Sequence, residues 1–368
     1  MTSRQRLLAA LDRRVPDRLP ATTHHLMPSF LAGLGLSERQ FFDRFGLDAI
    51  CWTTPLCSPP ETGGEGWHVE REDIPNPDYL TTRYRFVTRR GLLTTVIQHD
   101  GRTEWVRERL VKEKRDIDVL EAIVLEPRCC LEAVAAAADA LGDRGIVRGA
   151  VPGFPVYGQP GCWQDAAVLC GIEFLILATF SDPGWVSALL SILQRPKRVF
   201  LESARGARFD LVELGGGDGS STVISPAIFD RFVAPFDAPL VAAAHAAGVR
   251  VVYHTCGGMM PFLERIADMG VDAMETFTPA SMGGDARVGE AKRRIGARSC
   301  MIGGFDQFHD LVGCSPEQTR QAVRRLFEDA GGEGGFILAP SDHFFEADER
   351  LLDALADEAR RCTYLPAS

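Results

Sequence analysis

From about residue 115 onward, short apolar segments alternate with longer helical ones, and few folds accommodate this alternation. The apolar segments are GIVRGAV (145–151), FDLVELGG (209–216), RVVYHTCG (250–257), DAMETFT (272–278), SCMIGGF (299–305) and GGFILAP (334–340). The helical segments cover about 117–125, 130–142, 163–179, 182–204, 226–247, 259–268, 316–330 and 346–362. The apolar segments are β-branched and do not alternate with polar residues, which is typical of strands buried on both faces. This pattern predicts a parallel α/β fold, either a barrel or an open doubly wound sheet.

The residues before this region have a different character. Residues 2–13 and 37–48 have helical patterns, each preceded by side chains that can cap a helix. Across 51–112, proline and glycine are dense up to about Pro77, and then apolar and polar residues alternate with glycine at the joints. That alternation predicts a small antiparallel β-insertion beside the main domain.

Composition excludes several classes of protein. The chain of 368 residues is 45% hydrophobic, which is enough for a large core, and its net charge of -10 argues against nucleic acid as the main ligand. The N-terminus lacks the apolar core of a signal peptide, and the longest apolar stretches are interrupted and too short to span a bilayer. Ten cysteines without a dense regular spacing fit a reducing compartment. We therefore expect a cytoplasmic protein that has no membrane segment.

Polar residues follow the predicted strands, where parallel α/β folds concentrate their function. They are Glu213–Asp218, His254–Cys256, Glu275, Asp306–Gln307 and Asp342–His343. The glycine-rich turn around Asp218, GGGDGSS, is neither a dinucleotide fingerprint nor a P-loop. Its glycines instead predict a backbone that bends beside a ligand.

The most informative of these places is VVYHTCGG, where a buried strand ends in His-x-Cys. Alternate residues of a strand point to the same side, so His254 and Cys256 can converge on one ion. Imidazole and thiolate together suit Zn²⁺. The alternative is that His254 is a hydrogen-bonded core histidine and Cys256 a packing residue.

Three further residues can complete such a site. Glu275 ends the next strand and is a candidate third ligand, the partner of His254, or one half of a structural salt bridge. Asp342 or His343 can complete the coordination or act as an acid or base.

Other residues are candidates for contact with substrate. Asp306 and Gln307 follow a strand and can hydrogen-bond a ligand. His24 and His25 stand next to a break in the chain and can reach the site, although two adjacent histidines are often incidental.

At these residues the chain resembles the uroporphyrinogen decarboxylase superfamily, which includes corrinoid and coenzyme M methyltransferases. The resemblance lies in residues 4–20, 218–257, 266–277, 301–307 and 334–360, and 91–120 resembles the insertion of the methyltransferase-like members. It implies a single (β/α)8 TIM barrel domain over 1–368. Residues 1–114 would then be an N-terminal helical extension with the β-insertion, and residues 115–368 the main barrel.

The resemblance also separates two chemistries. The decarboxylases of this superfamily use no metal and bind a tetrapyrrole through an arginine-rich N-terminal motif, whereas the corresponding residues 21–35 contain no arginine here. The methyltransferases use zinc on His-x-Cys and a distant cysteine, and His254 and Cys256 match the first pair. At the distant position this chain has APSDH, so Asp342 or His343 replaces the cysteine. A harder donor set of this kind suits an ether or alcohol oxygen better than a thiol.

The resulting hypothesis is a zinc-dependent methyltransferase that acts on a small methyl donor, with a corrinoid on a separate protein as the partner. The metal ligands would be His254, Cys256, Glu275 and Asp342; the catalytic residues Asp218, His343 and Gln307; and the substrate contacts Glu213, Asp306 and His24. One alternative is a metal-independent decarboxylase or lyase that uses Asp218 and His343. Another is a non-catalytic protein that binds a corrinoid or tetrapyrrole. A homodimer is common in this superfamily, although the sequence leaves the oligomeric state open.

Overall fold

The chain begins with three short helices and one strand. In the computed structural model, which describes residues 1–53, 56–57, 63–64 and 66–364, these elements are α1 (Ser3–Leu11), α2 (Pro28–Leu34), α3 (Glu38–Phe45) and β1 (Ala49–Trp52). Thr2 and Ser37 cap α1 and α3 in capping boxes, which satisfy amides that a helix leaves free at its N-terminus. The two helices predicted near the N-terminus are confirmed, each shorter than expected.

An antiparallel sheet follows β1 and confirms the predicted insertion. Its strands are β2 (Gly63–Gly64), β3 (Trp67–Ile74), β4 (Leu80–Thr88), β5 (Gly91–His99) and β6 (Glu104–Glu108), which pair in sequential order. Phe86 packs against Phe154, which follows the next strand of the chain, with ring centroids 5.4 Å apart. This contact attaches the insertion to the main domain. The part of the insertion at 54–55, 58–62 and 65 lies outside the described residues.

Six more parallel strands belong to the main sheet. They are β7 (Gly145–Ala150), β8 (Leu211–Gly215), β9 (Arg250–His254), β10 (Ala273–Thr276), β11 (Cys300–Phe305) and β12 (Phe336–Pro340). With β1 they pair in the order β1-β7-β8-β9-β10-β11-β12. Each of the six strands predicted from the sequence is confirmed to within three residues at either end.

A short N-terminal segment lies between the two edges of this sheet. The amide of Thr22 donates to the carbonyl of Leu338 in β12, and the amide of Leu338 donates to Pro20, both at 2.9 Å. On the other side, the amide of Asp48 donates to the carbonyl of Ala21 at 2.8 Å, immediately before β1. Residues 20–22 therefore occupy the eighth position and close the sheet into a barrel.

This closure corrects the expected boundary of the main barrel. The sequence places the barrel over 115–368, but residues 20–22 and β1 contribute two of its eight positions. Both segments are very short and stand close to proline or polar residues, so neither shows the long apolar run of a buried strand. The N-terminal part is thus both an extension and a component of the barrel wall.

Helices alternate with the barrel strands. They are α4 (Asp116–Ile123), α5 (Leu131–Leu141), α6 (Cys162–Cys170), α7 (Ile172–Ser181), α8 (Pro183–Ser203), α9 (Pro226–Ile228), α10 (Ala234–Ala246), α11 (Leu263–Asp268), α12 (Val288–Ile295), α13 (Gln307–Asp310), α14 (Pro316–Ala330) and α15 (Glu349–Arg361). The helix predicted over 163–179 is two helices, because Gly171 has a φ of 89° and the chain bends there by 106°. Within the described chain, no helix is by itself both long and apolar enough to cross a bilayer, and only α6 and α7 taken together pass that test.

One layer of apolar side chains fills the lower interior of the barrel. Its members from the strands are Ile50, Ile146, Leu211, Val252, Ala273, Cys300, Ile302, Ile337 and Ala339. Leu7, Ala10 and Leu11 of α1 pack against the same layer, so α1 covers the amino-terminal end of the barrel. The carboxyl ends of the strands form the opposite end, called the mouth below.

Candidate active site

Four ionisable side chains form the next layer of the interior, toward the mouth. Arg148, Glu213, His254 and Glu275 each follow an apolar inward-facing residue of their strand by two positions, so they point the same way. None of these side chains is more than 12% exposed. Buried charges are stable only when they are paired, so the contacts among these four determine what the site can do.

Arg148 lies at the centre of this layer. Its Nη1 donates to Oε2 of Glu275 at 2.7 Å, and its Nη2 bonds both the other oxygen of Glu275 and a carboxylate oxygen of Glu213. The guanidinium carbon also lies 4.0 Å from the ring centroid of Trp52. Sequence reasoning missed Arg148, although a charged residue inside the apolar segment GIVRGAV was a usable signal.

The strand β9 ends at His254, and Cys256 follows it by two residues at the mouth. Nδ1 of His254 lies 2.9 Å from Oε1 of Glu275. Burial favours the neutral imidazole, but the interactions with Cys256 and Glu275 and the charge of Glu213 outweigh it and raise the pKa of His254 well above its usual value. An imidazole nitrogen and a thiolate sulfur are donors that suit Zn²⁺, which would bind both groups in their deprotonated forms.

Glu275 is bonded to both Arg148 and His254. Both of its oxygens bond Arg148, and one of them also contacts His254. Burial would raise the pKa of Glu275, but the charge of Arg148 overrides it and holds the pKa well below its usual value. A carboxylate behind an imidazole is the arrangement that orients metal-binding histidines in proteins. Glu275 can therefore orient His254, which is one of the roles predicted for it, and its role as a metal ligand stays a prediction.

Three neutral histidines line the mouth beside His254. The His24 ring lies 5.3 Å from the His254 ring and 5.7 Å from the His343 ring, nearly parallel to both. Burial lowers the pKa of His24 and of His343, and burial together with the charges of His343 and Arg148 lowers the pKa of His25 to about 4. Neutral imidazoles are competent metal ligands and proton acceptors.

His24 is closer to the centre of the site than the sequence indicates. One donor atom from each of His24, His254 and Glu275 lies within 4.8 Å of the others, so these three can surround a metal ion. The Nδ1 atom of His24 is 3.8 Å from Oε2 of Glu275, too far for a hydrogen bond. The sequence assigns His24 to substrate, whereas its position permits either role.

Hydrogen bonds connect the residues that follow β11 with the residues that follow β12. Gln307 donates from Nε2 to the carbonyl of His343 at 2.6 Å and accepts from the amide of Asp342 at 3.2 Å. The carboxylate of Asp306 accepts the amides of Phe308 and His309, both at 3.1 Å, and caps α13. Gln307 and Asp306 therefore shape the rim through bonds within the protein, which leaves their expected contacts with substrate as a prediction.

Asp218 lies on the glycine-rich turn, on the side of Cys256. Its Oδ2 accepts from Nε2 of Gln164 at 2.9 Å, and burial raises the pKa of its carboxyl group. A Cβ atom built on Gly217 would come within 2.6 Å of the Cys256 sulfur, which shows how closely the turn approaches the thiol. Gln164 in α6 was not anticipated from the sequence.

The fold and this site together define a parallel α/β barrel with an ionisable cluster at the carboxyl ends of its strands, which is where barrel enzymes carry their chemistry. The chain belongs to the uroporphyrinogen decarboxylase (URO-D) family, whose model matches residues 93–361. This confirms the resemblance seen in the sequence.

Curated relatives match part of the chain. The uroporphyrinogen decarboxylase of Neisseria meningitidis serogroup C (strain 053442) is 31% identical over 172 residues, which are 45% of this chain and 46% of that protein. The uroporphyrinogen decarboxylase of Thioalkalivibrio sulfidiphilus (strain HL-EbGR7) is 26% identical over 187 residues, or 50% of each chain. The chain thus matches about half the length of these relatives.

Two solved structures share the fold over nearly the whole chain. A methyltransferase from Methanosarcina mazei has a TM-score of 0.65 at 15% identity and covers 98% of this chain and 99% of that chain. A B12-independent methionine synthase from Shewanella sp. W3-18-1 has a TM-score of 0.53 at 10% identity and covers 94% of this chain and 97% of that chain. These likenesses confirm the predicted barrel architecture.

Proposed function

We propose that this chain is a methyltransferase that moves a methyl group between a small O- or S-methylated substrate and a corrinoid or thiol acceptor. Zinc held by His254 and Cys256 would act as the Lewis acid toward the oxygen or sulfur that carries the methyl group. The observation that supports the proposal is the group of donor atoms at the mouth, where those of His24, His254 and Glu275 lie within 4.8 Å of one another and Cys256 follows His254 by two residues.

The residues around the pair have distinct tasks in this proposal. Glu275 accepts from Nδ1 of His254, so the other ring nitrogen remains available on the side away from the carboxylate. Arg148 neutralises Glu275 and Glu213, so the buried acids do not repel each other beneath the substrate. Asp218, with its raised pKa, is the candidate proton donor for the group that leaves after methyl transfer.

The burial of Arg148 and the lack of arginine in residues 21–35 argue against the decarboxylase alternative. A tetrapyrrole with several carboxylates requires cationic groups that face the substrate. Arg148 is 2% exposed and already bonded to two carboxylates, and residues 21–35, which pass the mouth, contain no arginine. The partial match to curated decarboxylases keeps this activity as the second candidate, with Asp218 and His343 as its acid and base.

Metal content and methyl transfer distinguish the two functions. We expect about one zinc per purified chain, loss of that zinc in Cys256→Ala, and transfer of a methyl group to cob(I)alamin from an O-methylated donor. Cys314→Ala is the matched control, because Cys314 is a partly buried free cysteine outside the mouth cluster. A metal-free wild-type protein that decarboxylates uroporphyrinogen would replace this proposal with the alternative.

A further inference from the structure

We propose that Arg148 is a positioning residue, which orients the His254 imidazole for metal binding by fixing Glu275. The inference rests on the proposed zinc function and names a residue for it that lies outside the predicted site residues. Arg148 extends from β7 across the barrel interior to Glu275 on β10 and contacts Glu213 of β8 on the way. One guanidinium thus connects side chains from three strands of the barrel wall.

The geometry of the contact fixes the carboxylate in one orientation. Nη1 and Nη2 of Arg148 bond the two different oxygens of Glu275, which is the forked arrangement that sets the plane of a carboxylate. One of those oxygens then accepts from Nδ1 of His254. Because the carboxylate cannot rotate without losing a bond to Arg148, the direction of its bond to His254 is fixed as well.

The negative charges of Glu213 and Glu275 also require the positive charge of Arg148 between them. Glu213 and Glu275 are buried carboxylates that face one guanidinium, and without its charge they would repel each other across the interior. Glu275 would then leave its place behind His254 or turn toward a metal ion. Arg148 therefore determines that Glu275 supports the imidazole and does not enter the ligand set.

The ring of Trp52 packs against the guanidinium of Arg148. The ring lies 4.0 Å from the guanidinium carbon, and this contact limits both the movement of Arg148 and the access of water. A lysine at this position has one ammonium group in place of the planar fork, so it could not bond both Glu275 oxygens in the same way.

The test compares Arg148 with an arginine at the other end of the barrel. Arg148→Lys and Arg148→Gln are prepared together with Arg4→Lys and Arg4→Gln, because Arg4 makes a forked pair with Asp210 far from the mouth. The zinc dissociation constant is measured by competition with a chromophoric chelator, and the absorption of Co²⁺-loaded protein reports the donor geometry. Circular dichroism establishes that each variant is folded.

We expect both Arg148 variants to raise the zinc dissociation constant by roughly 10- to 100-fold and to change the Co²⁺ spectrum, as loss of an orienting partner does. The Arg4 variants should leave both readouts at wild-type values. Wild-type zinc affinity and an unchanged spectrum in Arg148→Lys would overturn the inference while leaving the zinc proposal intact. A wild-type protein that binds no zinc would instead refute the proposed function itself.

Glu275→Gln provides a second route if the Arg148 variants do not fold. Glutamine keeps the shape of the side chain but loses the charge that pairs with Arg148 and the full acceptor strength toward His254. The inference requires a similar loss of zinc affinity and the same spectral change in this variant. Wild-type binding by Glu275→Gln would overturn it.

Discussion

The Nζ atom of Lys197 lies 2.9 Å from Oδ2 of Asp165, and neither side chain is more than 2% exposed. The ammonium also donates to the carbonyl oxygens of Pro152 and Gln159, at 3.2 and 2.7 Å. Asp165 in turn accepts from the amide of Phe154. One ion pair between α6 and α8 therefore fixes the loop that leaves β7, the strand of Arg148.

Lys197→Met should destabilise the fold strongly. The substitution leaves Asp165 buried without its charge partner, which costs about 3–5 kcal/mol. Urea unfolding measures the loss. Lys114→Met is the control, because Lys114 makes an ion pair of 2.8 Å with Asp182 at the exposed surface, where such pairs contribute little. Equal effects of the two substitutions would contradict the role given to Lys197.

Gly217→Ala should impair the site and leave the fold intact. The new methyl group would lie 2.6 Å from the Cys256 sulfur and would push it away from His254. We expect zinc affinity and methyl transfer to fall roughly 10-fold or more, because small displacements at a reacting centre are costly. Gly219→Ala is the control two residues away, since no atom of the described residues lies within 4 Å of its added Cβ. Wild-type zinc affinity in Gly217→Ala would show that Cys256 does not act in binding.

The protein should lose stability as the pH falls from 6.5 toward 4. The pKa of His25 is lowered from 6.5 to about 4, chiefly by burial, so the unfolded chain binds more protons in this interval. Stability from this residue is complete above pH 6.5 and is lost as the pH approaches 4. His25→Gln should reduce the acid loss by about 1–2 kcal/mol, a value discounted because the ring is partly exposed.

Thermal unfolding at a series of pH values tests this prediction. His68→Gln is the control, because His68 lies on an exposed face of the insertion sheet. An identical pH profile for wild type and His25→Gln would show that other groups account for the acid sensitivity.

Replacement by valine should affect stability differently at two buried threonines. Among the described residues the hydroxyl of Thr255 has no hydrogen-bond partner, whereas that of Thr319 donates to the carbonyl of Asp310 at 2.8 Å, and both residues are fully buried. Removing an unpaired buried hydroxyl is neutral or stabilising, and removing a paired one costs about 1–2 kcal/mol. Unfolding of the metal-free protein should therefore show that Thr255→Val is at least as stable as wild type and that Thr319→Val is less stable.

The sequence predicted the parts of the fold that depend on local patterns. Buried parallel strands are apolar over their whole length, so the six strands from β7 to β12 were visible, and His254 and Glu275 stood out because each ends such a strand. The convergence of His254 and Cys256 that strand alternation indicates stays a prediction, because β9 ends at His254.

The sequence could not predict contacts that depend on distant segments. Arg148 looks like an interruption of a strand until Glu213 and Glu275 are seen to surround it. The place of His24 follows from the pairing of residues 20–22 with β12, more than 300 residues away in the chain. No local signal specifies that pairing, because three residues are too few to show a periodic pattern.

Residues 20–22, which close the barrel and are called the seam here, have a consequence for biosynthesis. The partner of the seam, Leu338, is synthesised more than 300 residues later, so the growing chain carries a barrel wall with one open side until that residue has been made. His24, four residues beyond the start of that seam, reaches its final place only when β12 pairs with the seam. A nascent chain stalled before residue 336 would therefore display the barrel strands without a completed mouth, and long-range pairing of this kind forms slowly.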